Sequence, residues 1–145
     1  MGFKHVMVII IVAIFLMSQV SASENITYFD NNTTITFEEV DFVIPEGFGE
    51  SKNNEIFDDL GSEGKTCFYI NEAQGEIIIT VISDWMGMSL DELYHDGAVK
   101  SKVNGHDGWN YTDGDLHYFG FIHDDKGIIV GVTNETRLSQ VIIEK

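Results

Sequence analysis

The stretch that most constrains the fold is residues 99–133, in which apolar and aromatic runs alternate with short polar turns. Asp-Gly and Asn-Gly pairs supply the positive φ angles that tight hairpin turns require, so the runs on either side should pair as antiparallel strands. The stretch is therefore predicted to form a four-stranded β-meander. Its turns are predicted at Asn104-Gly105, at Asp113-Gly114 and at residues 124–127.

The sequence before the meander predicts further strands. Residues 34–44 alternate between apolar and polar side chains, which predicts one long strand or two short ones. Residues 65–71 and 76–83 are interpreted as a hairpin, and residues 50–64, which are polar, as a loop. The second strand of this hairpin is apolar on both faces, so we expect it in the centre of the sheet.

A helix is predicted over residues 90–97. Ser89 and Glu92 have the spacing of a capping box, in which each side chain satisfies a free backbone amide at the start of a helix. Met88 and Leu93 have the spacing of a hydrophobic staple. Gly97 provides the left-handed conformation that ends many helices.

A second helix is predicted over residues 135–144, capped by Thr133 or Asn134. The element order is then β-β-β-α-β-β-β-β-α, with turns too short for parallel crossovers within each run of strands. This order predicts an α+β domain, an antiparallel sheet of about six or seven strands with two helices packed on it. The apolar stripe that should face the sheet consists of Leu138, Val141 and Ile142.

The first 22 residues are typical of an export signal. Lys4 precedes an unbroken apolar run over residues 6–17, and small residues lead up to Ala22, where cleavage is expected. The alternative is an uncleaved anchor that holds residues 6–20 in the membrane. We therefore predict a secreted or extracytoplasmic protein with a signal peptide over residues 1–22. An exposed leader over residues 23–33 and a single domain over residues 34–145 are predicted to follow.

The composition limits the partners. The formal net charge of the 145 residues is −16, which repels nucleic acid and favours cationic partners or metal ions. Cys67 is the only cysteine, so an intramolecular disulfide is excluded, and its apolar surroundings predict a buried thiol. The sequence predicts no organic cofactor, and a divalent metal ion is the alternative.

Asn-x-Thr sequons cluster just after the predicted cleavage site. In an exported chain they are acceptors for N-linked glycans, which are bulky and stay at the surface. We therefore predict a glycoprotein whose modified residues lie in the leader. The candidate residues are Asn25, Asn31 and Asn32.

Histidine and aspartate residues recur in the meander and are candidate metal ligands. A divalent ion needs three or four such side chains close together. With a turn at Asp113-Gly114, Asp115 should pair near Thr112, and His117 should lie opposite Asn110. A metal-binding or metal-dependent hydrolytic domain is one hypothesis for the function. Its ligands would be His106, Asp107, Asp115 and His117.

Aromatic residues in the meander and before the first predicted helix are candidate binding residues. Exposed Trp and Tyr side chains offer a large contact area to a protein or a cell-envelope glycan. The alternative is that these side chains form the core under the helices. The candidates are Trp85, Trp109, Tyr111, Phe119 and Phe121.

No catalytic motif supports an enzyme. The sequence lacks G-x-S-x-G, and its serines have no base that the sequence places beside them. Adjacent carboxylates such as Glu38 and Glu39 would need a deep cleft for glycosidase chemistry, which a domain of this size rarely builds. The sequence therefore favours a non-catalytic binding or assembly module at the cell surface.

The sequence contains, in this order, the run VDFVIPEGF, a predicted strand pair, a predicted short capped helix, the run VNGHDGW and a predicted last amphipathic helix. This arrangement resembles a set of small exported domains of methanogenic archaea, and it is similar to the PsbP-like fold. In that superfamily an Asn-Gly turn followed by a further glycine opens the meander, and Asn104, Gly105 and Gly108 match this pattern. The resemblance implies an antiparallel sheet between helices and a binding or assembly role, without transferable functional residues.

Overall fold

The computed structural model describes residues 26–51, 64–83 and 87–145. These residues are mostly β structure, and 55% of them lie in nine strands that form two sheets. The first five strands are β1 (Thr33–Phe37), β2 (Val40–Ile44), β3 (Gly49–Glu50), β4 (Gly64–Asn71) and β5 (Gly75–Ile82). The meander provides β6 (Val99–Val103), β7 (His106–Asp113), β8 (Leu116–His123) and β9 (Lys126–Val132).

Seven strands form one antiparallel sheet in the order β3-β4-β5-β9-β8-β7-β6, and β1 pairs with β2 as a separate hairpin. The predicted meander is confirmed, because β6 to β9 pair in sequence. The prediction that residues 76–83 are central is also confirmed, since β5 lies between β4 and β9. Of the two alternatives for residues 34–44, the structure has two short strands.

The register of the β7–β8 hairpin differs from the prediction by two positions. His117 pairs with Thr112 rather than Asn110, because Asp113 still pairs with Leu116 and the turn consists of Gly114 and Asp115. Gly114 has a φ of +61°, and Asp115 is not among the residues with positive φ. This pattern is that of a type II′ turn, which places its glycine first, whereas the prediction assumed a turn with glycine second.

The seven-stranded sheet is apolar on both faces. One face, which we call the hairpin-covered face, packs against β2, Phe48 and the C-terminal residues. Its buried side chains include Cys67, Tyr69, Ile77, Ile79, Phe119, Phe121, Ile128 and Val130. Cys67 is thus a buried apolar residue, as predicted, and burial raises the pKa of its thiol. The opposite face contributes Phe68, Ile70, Ile78, Ile82, Tyr111, Leu116, Tyr118 and Ile129, together with Met88 and Leu93 from the connection to β6.

The helix predicted over residues 90–97 is wrong. The structure has one 3₁₀ turn, Leu90–Leu93, and Tyr94 already has extended dihedral angles. Ser89 Oγ lies 3.2 Å from Glu92 Oε1, but Ser89 caps no backbone amide. In an α-helix, Leu90 O would accept the Tyr94 N–H, but here it accepts the Trp109 Nε1–H at 3.0 Å. This carbonyl therefore serves a tertiary hydrogen bond instead of a second helical turn.

The last helix is shorter than predicted. A 3₁₀ turn, Glu135–Arg137, continues into one α-helical turn, α1 (Leu138–Val141), and Asn134 caps the start by accepting from Thr136 N–H. Ile142 is extended, because it forms an antiparallel bridge with Phe42 of β2. The chain therefore leaves the helix to join the hairpin layer.

The predicted α+β class, with two helices packed on the sheet as in the PsbP-like fold, is wrong. Besides the 3₁₀ turn Leu90–Leu93, the described residues contain one short helical segment of 7 residues, so the second layer on the sheet is mainly the β1–β2 hairpin. Two lysines link the tip of this hairpin to the sheet. Lys65 Nζ lies 3.0 Å from Glu38 Oε1, and Lys126 Nζ lies 3.0 Å from Glu39 Oε2.

The predicted signal peptide lies outside the described residues, and the predicted leader is described from residue 26 onward. This part lies against the domain, because Tyr28 forms an antiparallel bridge with Gly49 and Phe29 packs on the buried core. Within residues 26–51, 64–83 and 87–145, no helix has the length and apolar character needed to cross a membrane.

Candidate functional site

His106 lies at the start of β7, where the first meander turn meets the C-terminal residues. The side chain is buried, and its Nε2–H donates to Ile143 O at 2.9 Å. Its ring contacts the ring of Phe121, with 4.5 Å between the ring centroids. The neighbouring Asn104 donates from Nδ2 to both Ser139 O and Ile142 O at 2.7 Å. Together these hydrogen bonds fix the end of the chain against the meander.

The structure places His106 beside a histidine that was not among the predicted metal ligands. Gly108 pairs with Phe121, so two residues further along the ladder His106 lies beside His123 on the same face. The two ring centroids are 6.0 Å apart, with the planes nearly perpendicular. Both rings line a pocket of about 260 Å³. The other lining residues are Glu39, Val40, Asp41, Phe42, Phe121, Ile142, Ile143 and Glu144.

The four predicted metal ligands are not brought together. His117 lies six residues before His123 on β8, which is about 20 Å along the strand, so His106 and His117 lie at opposite ends of the hairpin. Asp107 is exposed and lies 3.6 Å from Lys102, and Asp115 is in the β7–β8 turn. Within the described ranges, no three His, Cys, Asp or Glu side chains converge in a way that could hold a metal ion.

The predicted aromatic residues are divided between the two faces of the sheet. Phe119 and Phe121 are buried on the hairpin-covered face, where they belong to the core. Trp109 and Tyr111 belong to the opposite face. Trp85 lies outside the described residues. The four described aromatic side chains therefore do not form one continuous binding surface.

Trp109 fixes the connection between β5 and β6. Its indole N–H donates a hydrogen bond to Leu90 O. Its ring stacks on Tyr94 with centroids 4.9 Å apart, and Lys100 Nζ lies 4.8 Å from the Trp109 ring centroid. Beside it, the rings of His95 and Tyr111 stack at 4.2 Å. These contacts give Trp109 and Tyr111 a structural role. Tyr94 remains partly open, with 38% of its surface exposed.

Burial raises the pKa of Tyr69, Tyr111 and Tyr118 well above that of a free phenol. Tyr118 Oη is buried without a hydrogen-bond partner, and the nearby Tyr111 and Asp113 disfavour a further negative charge. Because these pKa values are raised on folding, the protonated phenols stabilise the fold up to about pH 10, where free tyrosine ionises. Above that pH, ionisation in the unfolded chain removes this stability.

In an alkaline titration, the three buried tyrosines are therefore expected to form phenolate only as the chain unfolds. The measurement is the phenolate absorbance, compared with the far-ultraviolet circular dichroism at each pH. The same chain in concentrated urea is the control, and there all 5 tyrosines should titrate near pH 10. Complete ionisation of the tyrosines in a chain that keeps its β spectrum would contradict this expectation.

The two edges of the seven-stranded sheet are different. At the β3 edge, residues 26–29 lie along the sheet: Phe29 N–H donates to Phe48 O, and Gly47 N–H donates to Phe29 O, both at 2.9 Å. At the other edge, β6 pairs only with β7 in the part of the chain that the structure describes. Among the described residues, the sheet therefore has one covered edge and one open edge.

The turn between β6 and β7 determines which backbone N–H and C=O groups of β6 point away from β7. Val103 and His106 flank a two-residue turn, Asn104-Gly105, with positive φ at both residues, so they form a hydrogen-bonded pair. Hydrogen-bonded and non-hydrogen-bonded pairs alternate along an antiparallel ladder. The N–H and C=O groups of Lys100 and Lys102 therefore point away from β7.

The predicted glycosylation residues lie at the surface where they are described. Asn31 and Asn32 are both exposed in the bend before β1. Asn32 Oδ1 accepts a hydrogen bond from Glu46 N–H at 2.8 Å, and Asn31 O accepts one from Thr33 Oγ1 at 2.9 Å. Asn25 lies outside the described residues. Glycosylation stays a prediction.

Comparison of the chain with protein-family models, with curated proteins and with solved structures finds no match. The resemblance to small exported archaeal domains therefore stays a prediction.

Proposed function

We propose that this chain is an exported, non-catalytic binding module that captures an extended segment of a protein partner along β6. The observation that supports this proposal is the open edge, where the backbone groups of Lys100 and Lys102 face away from β7. An extended peptide can add a strand to such an edge, with affinity from main-chain hydrogen bonds and specificity from side-chain contacts.

The lysines on the β6 edge favour a partner segment with acidic side chains. The chain has a formal net charge of −16, yet β6 carries Lys100 and Lys102, and Lys145 lies beside the turn that follows β6. An extended segment with acidic side chains would be attracted to these lysines, although Lys102 already lies 3.6 Å from Asp107. Pairing of β6 with β6 of a second copy is disfavoured, because it would bring lysines close to lysines.

Aromatic contacts are available beside the edge. Tyr94 stacks on Trp109, Lys100 lies over the same indole, and Tyr94 is the most exposed member of this group of rings. Trp109 pairs with Lys100 across β6 and β7, so the stack lies next to the edge strand. A partner side chain on this face of an added strand could contact Tyr94, which would add specificity to the backbone pairing.

The probe for this proposal is a fluorescein-labelled peptide of about ten residues in which Glu alternates with Val, added to the full chain. We expect saturable binding by fluorescence anisotropy, with a dissociation constant below about 1 mM that rises with salt. A peptide with Lys in place of Glu is the charge control and should bind at least about tenfold more weakly.

The variant Lys102→Pro tests the backbone contribution. Proline removes an outward N–H while leaving the hydrogen bonds to β7, so the fold should persist while the peptide affinity drops by about tenfold or more. Lys102→Gln is the matched control that removes only the charge, and it should weaken binding by about threefold. Equal affinity of Lys102→Pro and the unmodified chain would reject strand addition, and absence of binding at about 1 mM peptide would reject the acidic segment as partner.

A further inference from the structure

We propose that His106 and His123 together bind one divalent transition-metal ion of the Zn²⁺ or Cu²⁺ type. The two side chains lie beside each other on β7 and β8 and line the same pocket. This pair differs from the ligand set predicted from the sequence, which combined His106 with the distant His117. It is also separate from the β6 edge, since it depends on the hairpin-covered face of the sheet.

The distance between the rings fits a shared ion. Metal–nitrogen bonds of about 2.0–2.1 Å in a tetrahedral site place two imidazole centroids about 5 Å apart. The observed separation is 6.0 Å. The side chain of His123 is 42% exposed, and its Nε2 lies 3.4 Å from Asp124 Oδ2, so we expect a rotation of this ring away from Asp124 to close the difference.

A backbone carbonyl orients His106 for this role. Its Nε2–H donates to Ile143 O at 2.9 Å, so Nδ1 carries the lone pair whenever the ring is neutral. Histidine ligands in metal sites commonly donate their second ring N–H to a carbonyl or carboxylate in this way, which fixes the tautomer and the ring orientation. The contact with Phe121 restricts the ring further.

The surroundings favour a cation that prefers nitrogen ligands. Glu39, Asp41 and Glu144 line the pocket, and Val40, Phe42 and Ile142 form apolar walls. Glu39 is already paired with Lys126, and one Asp41 oxygen accepts from Thr36, so water molecules rather than a third protein side chain would complete the coordination. Two imidazoles select Zn²⁺ or Cu²⁺ over Ca²⁺ or Mg²⁺, which prefer oxygen ligands throughout.

The test is a calorimetric titration of the full chain with Zn²⁺. We expect one Zn²⁺ per chain in this site, and His123→Gln should weaken its binding by about tenfold or more, because one of two nitrogen ligands is lost. His117→Gln is the matched control, since His117 is on the same strand and the same face but about 20 Å away, and it should leave the affinity unchanged.

Electron paramagnetic resonance with Cu²⁺ gives a second readout, which should show two coordinated imidazole nitrogens in the unmodified chain and one in His123→Gln. Circular dichroism of His123→Gln checks that the fold is intact. The proposal is overturned if no stoichiometric Zn²⁺ binding occurs at about 100 µM, or if His123→Gln binds as well as the unmodified chain. It is also overturned if His117→Gln weakens binding to the same extent as His123→Gln, because Zn²⁺ would then bind at several places on the acidic surface.

Discussion

Replacing Gly108 with alanine is expected to lower the free energy of unfolding by about 3 kcal/mol or more. A Cβ atom at this position would lie 2.2 Å from Gly120 O and 2.6 Å from Phe119 Cζ. The first neighbour is backbone of the adjacent strand and the second is the ring of a fully buried side chain, so neither can move without disturbing the sheet. Urea denaturation followed by circular dichroism measures the loss.

Gly120→Ala is the matched control for this variant. A Cβ at Gly120 would meet Leu93 and Ile129 at 3.6 to 3.8 Å, which is ordinary van der Waals contact. This change should alter the free energy of unfolding by no more than about 1 kcal/mol, in either direction, since removing a glycine also lowers the entropy of the unfolded chain. Equal losses in the two variants would show that the close approach of β7 to β8 is not what requires glycine at position 108.

Replacing Asn104 with alanine is expected to cost about 3 kcal/mol. The side chain donates to Ser139 O and Ile142 O, and each of these hydrogen bonds contributes about 1 kcal/mol. Asn104 also has a φ of +47°, which costs alanine about 1 kcal/mol more than asparagine. The free energy of unfolding, again measured in urea, should fall by the sum of these effects.

Two further variants separate the contributions. Asn104→Gly accepts the positive φ and loses only the two hydrogen bonds, so it should cost about 2 kcal/mol. Asn104→Asp should be at least as destabilising, because a carboxylate would face two carbonyl oxygens that now receive N–H groups. If Asn104→Gly were as stable as the unmodified chain, the turn would not hold the C-terminal residues through this side chain.

The meander was predictable because its determinants are local. Asn104-Gly105 and Asp124-Asp125 adopt the positive φ angles that such residues accept most readily, and each closes a two-residue hairpin. The central position of β5 was also predictable, because a strand that is apolar on both sides is stable only with both faces covered. These signals require no knowledge of distant residues.

The helices were not predictable from local signals. The capping-box residues Ser89 and Glu92 are present, but Leu90 O accepts the Trp109 indole N–H, and Tyr94 stacks on that ring instead of continuing a helix. At the C-terminus, Ile142 fits the helical apolar stripe equally well, yet it pairs with Phe42. Short helices gain little by themselves, so tertiary contacts decided where both segments end.

The candidate site depended on a register that the sequence left open. An Asp-Gly pair indicates a hairpin, but it does not say whether the glycine is the first or the second residue of the turn. A turn at Gly114-Asp115 places His106 beside His123, whereas a turn at Asp113-Gly114 shifts the register by two positions. Once the turn is known to be Gly114-Asp115, counting outward along the two strands places His106 beside His123.

By itself, the sequence determined the antiparallel meander, the buried thiol of Cys67 and the strongly acidic character, since these follow from turn residues, apolar alternation and charge count. The tertiary structure alone decided that a β-hairpin rather than two helices forms the second layer, that no described strand pairs with the outer edge of β6, and that His106 lies beside His123. Each of these depends on contacts between residues far apart in the chain, which local preferences of about 1 kcal/mol cannot determine.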